Sequence, residues 1–415
     1  MNKVAKSAVA AAVAMVLGST MSGAARADDA QPPPKPQVSA AAGKDLQAAQ
    51  KALQAHKYDD VLTLLDKVRA NPKKNEYDDY LADEFAFTAF AGEKRYQDAE
   101  GPLEAAMTSK YMPPEELRLR LVQAATLDYQ LKNYDKAIEF GERAMKNGSS
   151  TEQLQTVISQ SYYLKNDFRN TDRFVRNMVD EQIKAGQTPS EETLQLGLSS
   201  ADKLQDEAGT SRWLELLVTY HPKPEYWENL LDTLYRGSAK LSDPQLMQVY
   251  RLSADVGVLK SGTEYAEMAQ LALAQGSPGE AVTTLTKGFA ANAFTTTADK
   301  NRNQHLLDSA KKDAAADQPG LAKNEADAAN AAGGDRLVGV GLGYFGYGDY
   351  GRAAKDLAAG LAKGATKDPT NARLLLGIAQ LKAGDKDGAI RTFHEVKGDP
   401  TSERLAALWI LRSKT

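Results

Sequence analysis

The sequence predicts an all-α protein, a solenoid or superhelix of about ten antiparallel helix pairs with a capping helix at the C-terminal end. An aromatic residue followed three positions later by a small residue recurs along the chain, and the first four small residues lie 38, 38 and 34 positions apart. The motif starts at Tyr58, Tyr96, Tyr134, Phe168 and Tyr350. A period of this size is typical of stacked helix pairs. From Leu46 onward helix-favouring residues dominate, and no segment alternates like a strand.

The first 27 residues predict an export signal. Lys3 and Lys6 form a basic start, residues 8–18 are an apolar run, and Ala25-Arg26-Ala27 is a small-x-small cleavage signature. The run is too short to serve as a stable membrane anchor. We therefore expect cleavage before Asp28 and a periplasmic location. The alternative is a signal that is retained as an N-terminal anchor.

Composition restricts the partners. The chain has no cysteine, so neither a disulfide nor a lipid attached through cysteine is expected after export. No later apolar run reaches spanning length, which predicts no membrane span in the mature chain. The signal holds three basic side chains, so 48 basic and 55 acidic side chains leave the mature chain at −7. This charge disfavours nucleic acid as a partner.

Prolines and repeat strength divide the rest of the chain. Four prolines among residues 32–36 favour an extended linker rather than a helix. The predicted segments are a linker at 28–44, a clear repeat array at 45–223, degenerate helical repeats at 224–332, and a repeat pair with a capping helix at 333–415. Ser211 and Ala281 lie 70 residues apart, and Ala281 and Ala353 lie 72 apart, so each degenerate stretch is expected to hold a full repeat.

Turn and capping signals separate the helices of each pair. One helix is expected to end near Lys132 and the next to begin at Asp135, which is suited to be an N-cap, and to stop at Asn147-Gly148. The same reasoning predicts later helices at Thr151–Asn166 and Phe168–Gln182, Ser190 onward and Trp213–Tyr220, Pro224–Arg236 and Gln245–Asp255, and Thr263–Gln275 and Gly279–Ala290. Two further pairs are predicted at Arg336–Gly364 and Ala372–Val396, with the capping helix at Thr401–Leu411.

These motifs resemble the tetratricopeptide repeat over most of residues 46–400, weakly at 225–260 and 298–332. The signature positions are Tyr96, Ala99, Tyr134, Ala137, Phe168, Gly341, Tyr344, Tyr350, Ala353, Gly377 and Ala389. Small residues on the first helix, such as Gly341 and Gly377, would let the second helix approach closely. Small residues on the second helix, such as Ala353, would leave space for the aromatic ring of the residue that begins this helix. Neither helix can bury enough apolar surface alone.

The resemblance implies a groove that is lined by the first helix of each repeat and binds protein partners. The matching positions are Thr126, Tyr129, Gln160, Tyr163, Phe345, Asn371 and Leu381. Aromatic rings beside amides suit an extended peptide or a partner helix. The alternative is that these rings pack helices together. Glu84 and Thr88 stand where related domains that bind a C-terminal carboxylate have Lys and Asn, so such a tail is not expected as the ligand.

No motif predicts catalysis, a cofactor or a metal site. The G-x-G-x-x-G run at 341–346 falls inside a predicted helix, and His56, His221, His305 and His394 are isolated. Glu228, upstream of residues 244–248, is faintly similar to the catalytic Glu of lytic transglycosylases, but Asn229 follows it where those enzymes have Ser. The predicted function is a non-enzymatic periplasmic scaffold for partners in the cell envelope. The competing class is a protein that binds or cleaves glycan.

Overall fold

A computed structural model describes residues 36–235 and 240–415. The predicted signal peptide and residues 28–35 of the proposed linker lie outside the described residues. Within the described ranges the regular structure is entirely helical, which confirms the predicted fold class. None of these helices has the length and apolar character needed to cross a membrane.

The described ranges contain 21 α-helices. The first ten are α1 Gly43–Gln54, α2 Tyr58–Ala70, α3 Glu76–Gly92, α4 Tyr96–Thr108, α5 Pro114–Gln130, α6 Tyr134–Lys146, α7 Glu152–Leu164, α8 Phe168–Lys184, α9 Glu191–Lys203 and α10 Glu207–Tyr220. The others are α11 Pro224–Asp232, α12 Asp243–Asp255, α13 Gly262–Ala274, α14 Pro278–Ala290, α15 Thr297–Asp317, α16 Leu321–Ala329, α17 Asp335–Gly346, α18 Tyr350–Lys363, α19 Pro369–Lys382, α20 Lys386–His394 and α21 Pro400–Arg412.

The chain divides into two compact units, residues 1–181 and 182–415, which we call unit 1 and unit 2. In unit 1, α1 packs on α2, α3 on α4 and α5 on α6, and each pair contacts the next. In unit 2, α9 packs on α10, α13 on α14, α17 on α18 and α19 on α20. The predicted capping helix is α21, which packs against α20 and α19.

Eight pairs share one turn between their helices. Two residues before the second helix, the backbone adopts the left-handed conformation, with φ between 55° and 89°. The residues in this conformation are His56, Lys94, Lys132, Asn166, Gln205, Gly276, Gly348 and Gly384. The residue that follows closes the first helix by donating back to it, as Asn133 N does to Asp128 O at 2.8 Å. The turn reverses the chain, so the repeat period is also visible in the backbone.

Close approach of the paired helices depends on small residues, as predicted for Gly341 and Gly377. A Cβ on Gly377 would lie 2.5 Å from the ring of Phe393, and one on Gly341 would lie 2.8 Å from Leu357. In both pairs the large residue stands 16 positions after the glycine. The small residues of the second helices, Ala99, Ala137, Ala353 and Ala389, are completely buried.

The degenerate stretch at 298–332 contains two helices, but they do not form an antiparallel pair. Helices α15 and α16 join end to end through the 3-10 turn Gln318–Gly320, and the backbone angles of Gln318 and Leu321 are helical. The left-handed residue that reverses the chain in other pairs is missing here, and Pro319 only interrupts the helix because it lacks an N–H donor. As a result α15 packs on α14, α16 packs on α17, and α14 also contacts α17.

The other degenerate stretch keeps two helices with a longer connection. Helix α11 ends at Asp232, earlier than the expected Arg236, and α12 begins only at Asp243. Helix α12 starts with a capping box, in which Ser242 and Gln245 satisfy each other's backbone N–H groups. Both stretches with weak sequence signatures therefore lack the standard turn in their described residues.

Unit 2 closes on itself, which the repeat pattern did not predict. Helix α12 contacts α19 and α21, although they are more than 100 residues later in the chain. Gln248 Nε2 donates to Asn371 Oδ1 at 2.6 Å, and the Asp255 carboxylate lies 2.7 Å from Lys382 Nζ and 2.9 Å from Arg412 Nε. These contacts cover the inner side of α19 with polar groups from α12.

The described end of the proposed linker is held against the array. Ser39 N donates to Asp78 Oδ1 at 3.0 Å, and Asn75 Nδ2 donates to Gln37 O at 3.0 Å. Ala42 is completely buried, and α1 begins at Gly43. The packed structure therefore begins within the final residues of the 28–44 segment.

The left-handed turns predict a stabilising substitution. Lys132 is exposed and has φ of 64°, which costs a residue with a Cβ about 1–2 kcal/mol, and glycine avoids this cost. We expect Lys132→Gly to raise the free energy of unfolding by about 1 kcal/mol, since glycine loses more entropy on folding. Urea unfolding followed by circular dichroism measures it. The control is Lys51→Gly, at an exposed position inside α1, which should lower stability by about 1 kcal/mol. If Lys132→Gly instead lowered the free energy of unfolding as much as Lys51→Gly does, the backbone at Lys132 would not be strained and the prediction would be contradicted.

Candidate partner-binding face

The predicted binding positions of unit 1 lie on two neighbouring stripes. On α5 the stripe follows helical spacing, and on α7 the equivalent positions come 34 residues later. We call these residues the α5–α7 face: Leu119, Val122, Thr126 and Tyr129 on α5, and Thr156, Gln160, Tyr163 and Leu164 on α7.

Tyr129 and Gln160 form a hydrogen bond between two neighbouring repeats, although the equivalent positions of these repeats are Tyr129 with Tyr163 and Thr126 with Gln160. The Tyr129 hydroxyl donates to Gln160 Oε1, and Gln160 itself is exposed. The Tyr129 ring also packs on the core of unit 1, with its centroid 6.1 Å from that of Tyr134. Burial, and then the proximity of Tyr134, raise the pKa of the Tyr129 hydroxyl. It therefore remains a protonated donor at neutral pH.

Tyr163 combines the two roles that the sequence left open. Its ring is half-buried and meets Phe168 edge to face, with the centroids 5.3 Å apart. Part of the ring therefore packs α7 against α8, and part remains accessible on the face. Thr126, in contrast, is buried, and its hydroxyl donates to Val122 O in its own helix at 2.9 Å. Thr126 supports the face from below and offers no free donor to a partner.

Two exposed leucines extend the face and were missed in the sequence. Leu119 is 45% exposed and Leu164 is 47% exposed, and both are among the few large apolar side chains of the described residues that face solvent. Helical spacing could have found Leu119, because it stands three residues before Val122. The same spacing could have found Leu164, because it stands four residues after Gln160.

An ion pair fills the neighbouring position on α3. Arg120 makes two bonds to the Glu84 carboxylate and a third from Nη1 to Gln123 Oε1 at 2.8 Å. Arg120 is consequently engaged by this chain, and Glu84 occupies the position where a carboxylate clamp would need a cation. Burial, and then the charge of Glu84, raise the pKa of Glu116 nearby.

The predicted positions of unit 2 lie inside its closed structure. Phe345 is only 5% exposed, and the Arg251 guanidinium covers it at 5.1 Å from the ring centroid. Asn371 accepts from Gln248, and Leu381 is half-buried. Phe345 also packs edge to face on Tyr350. Because residues of α12 lie over Phe345 and Asn371, these two positions are covered within unit 2.

The residues weighed for catalysis have ordinary structural partners. Glu228 is exposed and pairs with Lys260 at 2.8 Å, whereas a general acid needs a setting that keeps its proton. Gln245 caps α12 and donates to Asp399 at 2.8 Å. Residues 341–346 lie within α17, where Gly343 and Gly346 make room for Leu321 and Ser277.

A group of three carboxylates, Glu100, Glu104 and Asp128, surrounds an ammonium from the chain itself. Lys136 Nζ contacts both glutamates, 2.8 Å from Glu104. Asn133 Nδ2 donates to Asp128 Oδ1 at 3.2 Å. Burial, and to a lesser extent the charge of Glu100, raise the pKa of Asp128 to about 6. The lysine already supplies the positive charge that a metal ion would bring.

Comparisons with known proteins return the same repeat architecture at low similarity. No family model matches the chain, and no curated protein sequence matches it. Among solved structures, a tetratricopeptide repeat protein from Parabacteroides merdae is 13% identical, covers 65% of this chain and 99% of its own, and has a TM-score of 0.31.

Two further structures are similar to larger parts of the chain. The tetratricopeptide domain of P58(IPK) is 13% identical, covers 91% of this chain and 99% of its own, and has a TM-score of 0.24. Yeast Tom70 is 10% identical, its match covers 90% of this chain and 95% of Tom70, and the TM-score is 0.25. At these scores we draw no functional argument from either. The tetratricopeptide-like character of the fold rests on the turns and helix contacts of this chain, which follow the template in eight pairs.

The raised pKa of Asp128 predicts a dependence of stability on pH. An unfolded aspartate titrates near 3.9, so between about pH 4 and 6 the folded state binds more protons and stability falls as pH rises. Asp128→Asn removes this loss and should raise the free energy of unfolding at pH 7 by about 1–2 kcal/mol, with a much smaller gain at about pH 4. Urea unfolding at the two pH values tests it. Asp66→Asn, at an exposed position inside α2, should change stability by less than about 0.5 kcal/mol. A gain independent of pH would contradict the prediction.

Proposed function

We propose that this chain is a non-enzymatic periplasmic scaffold that holds a segment of another cell-envelope protein on the α5–α7 face. The observation that carries the proposal is the pairing of Tyr129 with Gln160 beside the partly exposed ring of Tyr163. Two successive repeats thereby present one continuous surface with rings, amides and apolar side chains.

The chemistry of the face suits a peptide segment. Leu119 and Leu164 offer apolar area that water solvates poorly, and aromatic rings give large contacts at a small entropic cost. Gln160 is exposed and its amide can orient a peptide backbone by hydrogen bonds.

Export supports a partner in the envelope. The basic start, the short apolar run and the Ala25-Arg26-Ala27 signature are typical of a cleaved signal, and the chain has no cysteine. A scaffold of packed helices needs no disulfides in an oxidising compartment. The proposed setting is therefore the periplasm, where the mature chain starts at Asp28.

Export predicts the N-terminus of the protein in cells. We expect sequencing of the protein from an osmotic-shock or envelope fraction to begin at Asp28, because cleavage follows Ala27. A chain that begins at Met1 in the cytosol would contradict export. A chain that begins at Met1 in the membrane fraction would favour the retained anchor.

The face predicts which substitutions abolish partner capture. Leu119→Glu with Leu164→Glu places two charges on the apolar part of the face, and a hot-spot loss of about 2 kcal/mol or more weakens binding about thirtyfold. Because both leucines are exposed, the melting temperature should change little. Tyr129→Ala with Tyr163→Ala should weaken capture similarly but also lower stability, since both rings are half-buried. Affinity capture from envelope extract, quantified by mass spectrometry, measures the loss.

A matched control tests whether the loss of capture comes from the α5–α7 face or from any charge added to the surface. Leu204 is also exposed but is the C-cap residue of α9 in unit 2, and Leu204→Glu should leave capture unchanged. Equal capture by the double variant and the unmodified chain would refute the assignment. Binding to purified peptidoglycan that the same double variant abolishes would instead indicate a glycan ligand.

A further inference from the structure

Helix α16 is docked on α17 by a short apolar face. The helix has nine residues, and helical spacing places Leu321, Glu325 and Ala328 on one side of it. Leu321 and Ala328 are buried. Leu321 enters the space that Gly343 of α17 leaves free, where a Cβ would lie 2.8 Å from the leucine side chain. A helix of this length is marginal in water, so its position depends on the contacts with its neighbours.

Charged side chains of α18 complete the docking. Lys355 Nζ lies 2.8 Å from the Glu325 carboxylate, which also accepts a hydrogen bond from the Tyr344 hydroxyl of α17 at 2.9 Å. Lys363 Nζ donates to two backbone carbonyl oxygens at the C-terminal end of α16, at 2.6 and 2.9 Å. A cation is favourable there because the last carbonyl groups of a helix carry partial negative charge. Two lysines of α18 therefore hold α16 in place.

A buried carboxylate of α18 opposes the docking. Asp356 is only 2% exposed, and its Oδ2 atom has no hydrogen-bond partner among the described residues. On the same helix, Leu357 and Gly360 pack on α17, whereas Lys355 and Lys363 reach α16. Helical spacing places Asp356 between these two sides, so it faces the junction of α16 and α17. Ionisation is unfavourable there, because burial removes the solvation of the charge and no donor at Oδ2 replaces it.

The charges around Asp356 differ in sign and origin. Glu325 of α16 repels the ionised form, as does Asp349, which caps the N-terminus of α18. Lys355 and Arg352, on the same helix as Asp356, attract it. Burial, and then the charge of Glu325, raise the pKa of Asp356 against these two cations. Because Glu325 belongs to α16, its repulsion acts fully only when α16 is docked.

The groups that hold α16 keep their charge states between about pH 5 and pH 8. Hydrogen bonds from Lys355 and Tyr344 lower the pKa of Glu325. The bond with Glu325 raises the pKa of Lys355. Burial, and then the bond with Glu325, raise the pKa of Tyr344, the titratable group that α17 places at this junction. The contacts that stabilise the docked position therefore persist across this range of pH.

We propose that α16 is a pH-sensitive strap, which docks on α17 and α18 when Asp356 is protonated and loosens when Asp356 is ionised. In the loosened state water solvates the Asp356 carboxylate, so this state binds the proton more weakly than the docked state does. Docking is consequently favoured as the pH falls, and it weakens as the pH rises through the range in which Asp356 of the docked state titrates. The strap lies in unit 2 and is independent of the partner-binding face proposed on unit 1.

Hydrogen exchange of the mature chain tests the strap. Mass spectrometry, with a correction for the intrinsic dependence of exchange on pH, gives the protection of each helix from local opening. We expect the protection of residues 321–329 to fall at least about threefold from about pH 5 to about pH 8. The protection of α13, in the same unit, should change much less.

Variants assign the pH dependence to one carboxylate. Asp356→Asn keeps the shape of the side chain and removes its charge, so residues 321–329 should keep their low-pH protection at about pH 8. Asp327→Asn is the matched control, because Asp327 lies on the exposed side of α16, and it should preserve the pH dependence. Lys363→Met removes the two bonds to the end of α16 and should lower protection by a similar factor at both pH values.

Three results would overturn the proposal. The first is equal protection of residues 321–329 in the unmodified chain at the two pH values. The second is a pH dependence that remains in Asp356→Asn, once circular dichroism has confirmed that this variant is folded. The third is a parallel loss of protection in α13, which would show that the whole unit loosens rather than the strap alone.

Discussion

The array depends on the close approach of two helices that neither could maintain alone. Helices of 12–14 residues are marginal in water, so each gains its stability from the partner that covers its apolar side. A left-handed turn residue sets the second helix antiparallel to the first, and a small residue such as Gly377 lets a ring such as Phe393 enter the interface. Five of the eight turns place a residue with a Cβ in this conformation, which costs about 1–2 kcal/mol at each residue and is offset by the packing of the pair.

Unit 2 differs from a regular array of helix pairs at the two places where the left-handed turn is missing. Where the turn is missing, α15 continues into α16, and α14 gains α17 as a neighbour. Helix α12, in the other pair without the turn, meets α19 and α21 through Gln248, Asp255 and their partners. Polar contacts between distant repeats thereby close the unit.

Equivalent sequence positions have opposite roles in the two units. Tyr129 and Tyr163 keep part of their rings accessible, and Leu119 and Leu164 beside them are exposed. Phe345 occupies the same template position in unit 2 but lies under Arg251, which Glu280 holds in place. A position on the first helix of a repeat is therefore accessible only where no other helix covers it.

The sequence by itself determined the helix pairs, their period, the buried alanines and the capping helix, because each follows from contacts within about 40 residues. It also identified both stretches where the pattern weakens, since their turn residues are missing. Only the tertiary structure decided which aromatic rings are accessible and that unit 2 closes on itself. The bonds from α12 to Asn371 and Lys382 join residues more than 100 positions apart, and no periodic signal within a repeat encodes such a pairing. The continuation of α15 into α16 at Pro319 could not be predicted for the same reason, because the choice between reversal and continuation depends on which neighbours α15 and α16 can reach.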